Sequence, residues 1–407
     1  MGILARWLIE GKFIRSVWGE LDYKLGILGR KIMCKRTPID PNKVFFSAQE
    51  SRYTCNPKYI SKELEKRRPD IDIVWRNLGK GYDGIPDHVR TAELNTYEYY
   101  KELFSAKVIV ANSFLYVGQP FTLKKDQVLI ETWHGSLGIK RHDKNAMKDK
   151  ARRKALEKTG ELTTYCISNS TLENGSLQGT YWPNTPMLEY GHARNDLFFD
   201  NHKEEREEIR RRIFKNYGLD EDTHVVMYAP TFRDSKSFEY YNIDYERLLD
   251  TLRAKFGGKW CVFLRYHPSL RAILNTIGGT GVEGLKDVID VTEYIDMQEL
   301  IAVTDVAITD YSSWIYDFVL LRRPGFIFAT DRKLYDNERG LYYPLEETPF
   351  GIAENNDQLM ENIMAFDDAA YQPKVEAFLK DKGCVEDGHA SERVADLIEK
   401  ILAEAKK

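Results

Sequence analysis

Val128-Leu129-Ile130-Glu131-Thr132-Trp133-His134-Gly135 is a short apolar run that ends on a histidine. Val262-Phe263-Leu264-Arg265-Tyr266-His267-Pro268 repeats the arrangement in the second half of the chain. Runs of this length bounded by turn residues read as buried strands. Working outward, Val44–Ser47, Ile71–Trp75, Lys107–Asn112 and Thr163–Ser168 read as companion strands of the first run. Val225–Tyr228, Val288–Val291, Val306–Thr309 and Phe326–Ala329 accompany the second. Helical patterns fall between them, over Lys58–Arg67, Glu204–Tyr217, Tyr245–Phe256, Met297–Val303, Trp314–Leu321 and Asp357–Phe366, and a last helix over Ser391–Ala405. Strands alternating with helices predict parallel sheets. The series restarts at His224, which predicts two Rossmann-like halves meeting near residues 195–220. Such sheets place ligand chemistry at the carboxyl ends of their strands. Two half-sites, each with a histidine, suggest two domains closing on one anionic substrate.

The chain has 407 residues and a net charge of −4, which gives no sign of nucleic-acid binding. Its length implies two or three domains. Five cysteines without a CxxC pair argue against a disulfide framework and fit a reducing cytosol. No apolar run approaches the ~20 residues that span a bilayer, and the N-terminus does not read as a signal peptide. Residues 3–32 carry apolar side chains at helical spacing, with Gly11, Gly19, Gly26 and Gly29 expected to break the helix into pieces. Residues 1–36 hold eight basic side chains against three acidic ones. An amphipathic basic stretch with Trp7 and Trp18 fits a membrane interface, and fits equally a helix packed on the protein body. Neither GxGxxG nor GxxxxGK[ST] occurs, so neither standard nucleotide signature is available.

Several residues have the chemistry of a phosphate site. A neutral His134 near pH 7 can accept a proton from an attacking hydroxyl, and Gly135 after it permits close backbone approach. The competing reading of His134 is a structural histidine bonded to a backbone carbonyl. Arg265 and His267 are two apart on one strand, so both are expected on one side, where they can meet phosphate oxygens. Thr309-Asp310-Tyr311-Ser312-Ser313 precedes an apolar helix, and a helix N-terminus capped by small hydroxyl residues binds anions. It is also simply how helices begin. Arg233, after Thr231-Phe232, can clamp a phosphate bidentately. Arg194 lies in Gly191-His192-Ala193-Arg194-Asn195-Asp196 at the expected domain junction, and a structural salt bridge explains each arginine equally well. Residues 140–158 carry nine basic side chains against three acidic ones, a pattern that steers anions or forms a solvated helix face. No Cys/His set has zinc spacing, so no metal site is expected.

In chain order, the motifs are Asn56-Pro57-Lys58-Tyr59, Thr132-Trp133-His134-Gly135, Gly191–Asp196, Tyr228-Ala229-Pro230-Thr231-Phe232-Arg233, His267-Pro268 and Thr309–Ser313 with Asp317-Phe318. As an ordered set over residues 44–370, they resemble the CDP-glycerol glycerophosphotransferase family of teichoic acid primases and polymerases. Ser136-Leu137-Gly138 and His192-Ala193 depart from the family's usual residues. The resemblance implies an α/β protein of GT-B-like architecture, two Rossmann-like domains facing a central cleft. The domain division it suggests is an N-terminal amphipathic helical segment over 1–43 with membrane contact, an acceptor domain over 44–200, and a CDP-alcohol domain over 201–407 closed by the C-terminal helix. It implies glycerol phosphate transfer from CDP-glycerol to a hydroxyl of a lipid-linked acceptor, with release of CMP, at the cytoplasmic face of the membrane. His134 and His267 become the catalytic pair. Arg233, Arg265, Thr309, Asp310, Ser312, Ser313, Arg194 and Gly135 become the substrate-binding set. No cofactor is required, with Mg²⁺ as an optional aid, because positioning and electrostatics dominate phosphoryl transfer. Ribitol phosphate transfer from CDP-ribitol is the alternative within the family. A sugar-nucleotide glycosyltransferase or epimerase, or a silent polymer-binding protein, are the alternatives outside it.

Overall fold

Two parallel sheets carry the chain in the computed structural model, which describes residues 19–49, 52–79, 84–113, 115, 122–138, 141, 150–231, 239–267, 270, 284–332, 335 and 340–406. The described residues fall into two compact units. One draws on residues 1–134, 143–196 and 385–407, the other on 135–142 and 197–384.

The first unit is built on β1 (Asp40–Ser47), β2 (Asp72–Asn77), β3 (Arg90–Glu93), β4 (Ala106–Ala111), β5 (Val128–Glu131), β6 (Tyr165–Ser168) and β7 (Met187–Glu189). They lie in the order β3-β2-β1-β4-β5-β6-β7, every pair parallel. The middle strands are apolar on both faces because helices cover both, and Val44, Phe45, Phe46, Val108, Ile109 and Val110 are wholly buried. Strands β3 and β7 escaped the sequence reading. They sit at the two edges, are four and three residues long, and carry no apolar run that would mark them.

Helix Gly19–Arg36 is continuous through Gly26 and Gly29, contrary to the expected breaks. It packs on helix Tyr97–Ser105, burying Met33 and Cys34 in a core with Tyr99, Tyr100, Leu103 and Phe104. Arg30 lies over the Tyr100 ring at 5.3 Å. Tertiary burial of one face outweighs the ~1 kcal/mol that each glycine costs a helix. Leu28 and Ile32 remain exposed on this helix, and residues 1–18 of the expected amphipathic segment lie outside the described residues. Among the described residues no helix is long and apolar enough to cross a membrane.

The second unit is built on β8 (Thr223–Tyr228), β9 (Lys259–Leu264), β10 (Val288–Asp290), β11 (Val306–Thr309), β12 (Gly325–Phe328) and β13 (Gly351–Ala353), in the order β10-β9-β8-β11-β12-β13. All five pairings are parallel. Helix Lys203–Tyr217 leads into it and stops at Gly218, whose φ of +67° suits glycine. Both sheets share one pattern: the third strand at one edge, then the second and first, and then the fourth onward.

Two parts of the expected division are corrected. Helix Ala390–Ala405 does not close the second domain; it belongs to the first unit, against helix Cys55–Arg67 and strands β1 and β4. The physical reason is Asp196. Its buried carboxylate accepts from the backbone N–H groups of Ala390 (2.8 Å) and Ser391 (2.7 Å), capping the helix from 194 residues away. Arg67 adds an ion pair to Asp396 at 2.6 Å. The stretch after His134 also changes sides. Tyr343 donates its hydroxyl to the carbonyl of Leu137 (2.7 Å), and Arg141 donates Nε to Leu341 O (2.9 Å), so this stretch groups with the second unit.

Losing the Asp196 carboxylate leaves two buried amides without acceptors, each costing about 1–3 kcal/mol. Asp196→Ala is therefore expected to lower the urea midpoint by the equivalent of about 2 kcal/mol or more. A midpoint equal to wild type would show that the cap does not hold the C-terminal helix.

Candidate active site

In a doubly wound sheet, ligands bind beyond the carboxyl ends of the strands where the strand order reverses. In the first sheet that point lies between β1 and β4. Asn112 immediately follows β4, and its side-chain Oδ1 accepts from the backbone N–H of Gln49 beyond β1 (2.8 Å). The two strand ends are thereby tied together. His134, three residues past β5, leans onto the same place: its Nδ1 lies 2.7 Å from the carbonyl oxygen of Asn112. A carbonyl only accepts, so Nδ1 carries a proton, and in the neutral ring the lone pair is on Nε2. The structural reading of His134, a ring bonded to a backbone carbonyl, is what the geometry shows, and that bond leaves the proton-accepting reading compatible with it.

The turn that delivers His134 is strained. Trp133 has φ +53°, a left-handed conformation that costs a bulky residue about 1–3 kcal/mol. Packing holds it there. The Trp133 ring meets Trp182 edge-on at 5.5 Å and Tyr181 at 5.6 Å, and lies 4.3 Å from the His134 ring. Glu131 at the end of β5 accepts from the Trp133 N–H at 3.0 Å. Full burial pushes the Glu131 carboxyl up to about 8, against the opposing pull of the Trp133 and Thr132 amides. The sequence hid Glu131 inside an apolar strand, and only its position beside the His134 turn gives it significance.

Arg194 is buried in the first unit rather than offered to an anion from a surface. Its backbone N–H donates to Asn56 Oδ1 (3.1 Å) and its Nη1 to Cys55 Sγ (3.4 Å). The rest of its motif has equally local work. Asn195 donates to Glu386 (2.8 Å), and Asp196 caps the C-terminal helix. Glu386, half-buried, is raised to about 7 chiefly by desolvation.

In the second sheet the order reverses between β8 and β11. The two ends are again stitched together. Thr309 donates its hydroxyl to the carbonyl of Ala229 (2.7 Å), and Trp314 Nε1 donates to the same oxygen (3.0 Å). The Asp310 carboxylate accepts from the Thr231 N–H at 2.9 and 3.0 Å and from the Tyr311 N–H. Thr309 and Asp310 are therefore buried braces that shape this strand end. Ser312 and Ser313 are half-buried at the start of helix Trp314–Phe318, and the Ser313 side chain makes no cap bond. Arg265 lies past the end of β9, where its Nη1 donates to the carbonyls of Val291 (3.1 Å) and Tyr294 (2.6 Å). His267 is exposed beyond it. Arg233 lies outside the described residues. The structure thus brings Thr309, Asp310, Ser312 and Ser313 to one strand end of the second sheet, and links Arg194 through Asn56 to the His134 turn of the first. Gly135 belongs to the stretch that groups with the second unit.

With that geometry in place, similarity to known proteins decides the family. The profile of CDP-Glycerol:Poly(glycerophosphate) glycerophosphotransferase matches residues 30–400. The chain belongs to this family. It is 31% identical over 389 residues to a teichoic acid poly(glycerol phosphate) polymerase of Staphylococcus epidermidis, covering 89% of this chain and 51% of that protein. The chain thus spans about half the length of this relative. A teichoic acid ribitol-phosphate primase of Bacillus spizizenii is 25% identical over 388 residues, covering 93% of this chain and 96% of the primase. Among solved structures, a histidine-to-asparagine variant of the wall teichoic acid polymerase TagF, soaked with CDPG, matches with a TM-score of 0.78 at 28% identity, covering 91% of each chain. The two parallel sheets are thus those of a TagF-like, GT-B architecture.

Burial of Glu131 has a pH signature. Its folded carboxyl titrates near 8, against roughly 4.3 unfolded. Between those values the folded state binds the extra proton, so this contribution to stability is complete below about pH 4 and is lost as pH rises toward 8. Glu131→Gln keeps the acceptor and removes the titration. The urea midpoint of wild type relative to Glu131→Gln should fall steadily from pH 5 to pH 8, and parallel midpoints across that range would contradict the assignment.

Proposed function

We propose that the chain transfers glycerol phosphate from CDP-glycerol to a hydroxyl group of a membrane-linked acceptor, releasing CMP, in the synthesis of teichoic acid or a related wall or capsule polymer. The observation that carries this reading is the bond from His134 Nδ1 to Asn112 O, which leaves a basic Nε2 at the switch point of the first sheet. Family membership supplies the donor class.

In the reaction, Nε2 of His134 takes the proton of the acceptor hydroxyl as its oxygen attacks the glycerol-bearing phosphorus. The P–O bond to the CMP phosphate breaks, and CMP leaves with that electron pair. His267 and Arg233 stabilise the charge on the transferring phosphate, a role that suits an exposed imidazole and a guanidinium. Ser312 and Ser313 hold pyrophosphate oxygens at the start of helix Trp314–Phe318. Arg265, Thr309 and Asp310 serve by holding the strand ends that present these groups. The enzyme works at the cytoplasmic face of the membrane, with residues 1–36 in contact with it. Exposed Leu28 and Ile32, beside exposed Lys31, Lys35 and Arg36, support that placement. Mg²⁺ remains an optional aid to charge neutralisation.

Ribitol phosphate transfer is the second reading, favoured by the similarity to the ribitol-phosphate primase over nearly its full length. Purified protein incubated with CDP-glycerol or CDP-ribitol and a lipid-linked acceptor should release CMP with CDP-glycerol. His134→Ala and His267→Ala should each lose about 10²–10⁴-fold in rate. Release from CDP-ribitol alone would transfer the assignment to the ribitol branch, and a folded His134→Ala with wild-type turnover would remove His134 as the base.

A further inference from the structure

Asn56 stands second in helix Cys55–Arg67, far in sequence from His134. Its side chain is buried. Nδ2 donates to the carbonyl of Thr132 at 2.7 Å and to that of Trp133 at 3.2 Å, the two residues just before His134. Oδ1 accepts from the backbone N–H of Arg194 at 3.1 Å. These partners fix which end of the amide is which, because a backbone N–H can only donate and a carbonyl can only accept. One amide therefore spans three backbone groups from two distant segments. It does so where two residues hold left-handed backbone, Trp133 at φ +53° and Cys55, beside Asn56, at φ +60°.

The His134 ring hangs from this turn and must reach Asn112 O to adopt the tautomer with the lone pair on Nε2. That bond depends on distance and alignment, and rotation of the Trp133 peptide would swing the ring away from its acceptor. Packing of Trp133 and the acceptor bond from Glu131 secure the turn on its indole and N–H sides. Its carbonyl side is secured by Asn56.

We propose that Asn56 is a positioning residue for His134: it clamps the Thr132-Trp133 carbonyls so that the imidazole meets Asn112 O and keeps its lone pair on Nε2. The inference rests on the reading of His134 as the base, but its test does not. Arg194 enters the same chain of contacts, since its amide orients the Asn56 side chain.

The experiment uses the full chain with ¹⁵N-labelled histidine. Imidazole nitrogen shifts report the tautomer directly, and the His134 signals are assigned by their loss in His134→Gln. Wild type should show a single Nδ1–H tautomer at His134 at alkaline pH. Asn56→Asp fills the same volume but replaces the donor by an acceptor facing two carbonyls, and Asn56→Ala removes both ends. Each should give mixed or shifted His134 tautomers. CMP release should show a kcat lower by about 10–100-fold with the KM for CDP-glycerol little changed, as expected when a reacting group is misplaced. Asn56→Ser, which retains one donor, should recover part of the loss. If Asn56→Ala does not fold, the same spectra of Asn56→Asp decide. A folded Asn56 variant with wild-type His134 signals overturns the proposal. If His134→Gln keeps its turnover while the tautomer shifts in the Asn56 variants, the base assignment fails and the positioning role stands.

Discussion

The grip of Asp196 on the backbone of Ala390 and Ser391 is the constraint from which the order of the first unit follows. The chain leaves this unit after Asp196 and returns only at Val385. Without a partner, the N–H groups that open the returning helix would be buried and unsatisfied, a state that folded proteins avoid. Capping them fixes Asp196. Its neighbour Asn195 is fixed with it through Glu386, and Arg194 one residue earlier presents its amide to Asn56. Asn56 in turn holds the carbonyls before His134. A helix cap at the end of the chain is thus connected, through four residues and backbone bonds, to the ring at the switch point.

The electrostatics of this region follow from the same burial. Glu131 and Glu386 each accept from backbone amides, yet desolvation exceeds that help and raises both carboxyls, to about 8 and about 7. A protonated Glu131 removes a negative charge from beneath the His134 turn. The second sheet solves its strand ends differently. There Asp310 accepts from Thr231 and Tyr311, and Thr309 and Trp314 share one carbonyl. Both sheets close the gap at the order reversal with side chains from adjacent strand ends, which leaves the residues beyond it, His134 in one and Ser312 and Ser313 in the other, at the rim.

Much of the fold was legible because buried parallel strands need uninterrupted apolar runs. Val306–Thr309, Tyr245–Phe256 and Met297–Val303 agree with the structure to the residue. Edge strands Arg90–Glu93, Met187–Glu189 and Gly351–Ala353 carry no such run and were missed, because pairing on one side asks little of the side chains. Helices Tyr97–Ser105, Thr171–Gln178 and Asp368–Asp381 were missed as well. The glycines of helix Gly19–Arg36 misled, since local propensity weighed less than burial of Met33 and Cys34.

For the site, local sequence was enough to nominate His134, His267 and the Thr309–Ser313 turn, because ligand groups cluster where an apolar run stops. It did not assign work to each residue. Arg194, Arg265 and Thr309 have the donors of phosphate ligands, and in the structure their described contacts, like those of the Asp310 carboxylate, go to the protein's own backbone or neighbouring side chains. A side chain's donors are common to both uses, and only the position of acceptors far along the chain selects one. By itself, the sequence determined two alternating α/β halves, the family and the strand ends that carry polar chemistry, since periodicity and motif order are local properties. Only the tertiary structure decided that the C-terminal helix belongs to the first unit, that Asn112 sets the tautomer of His134, and that Asn56 holds its turn. Each depends on a hydrogen bond between segments that the chain brings together only when it folds.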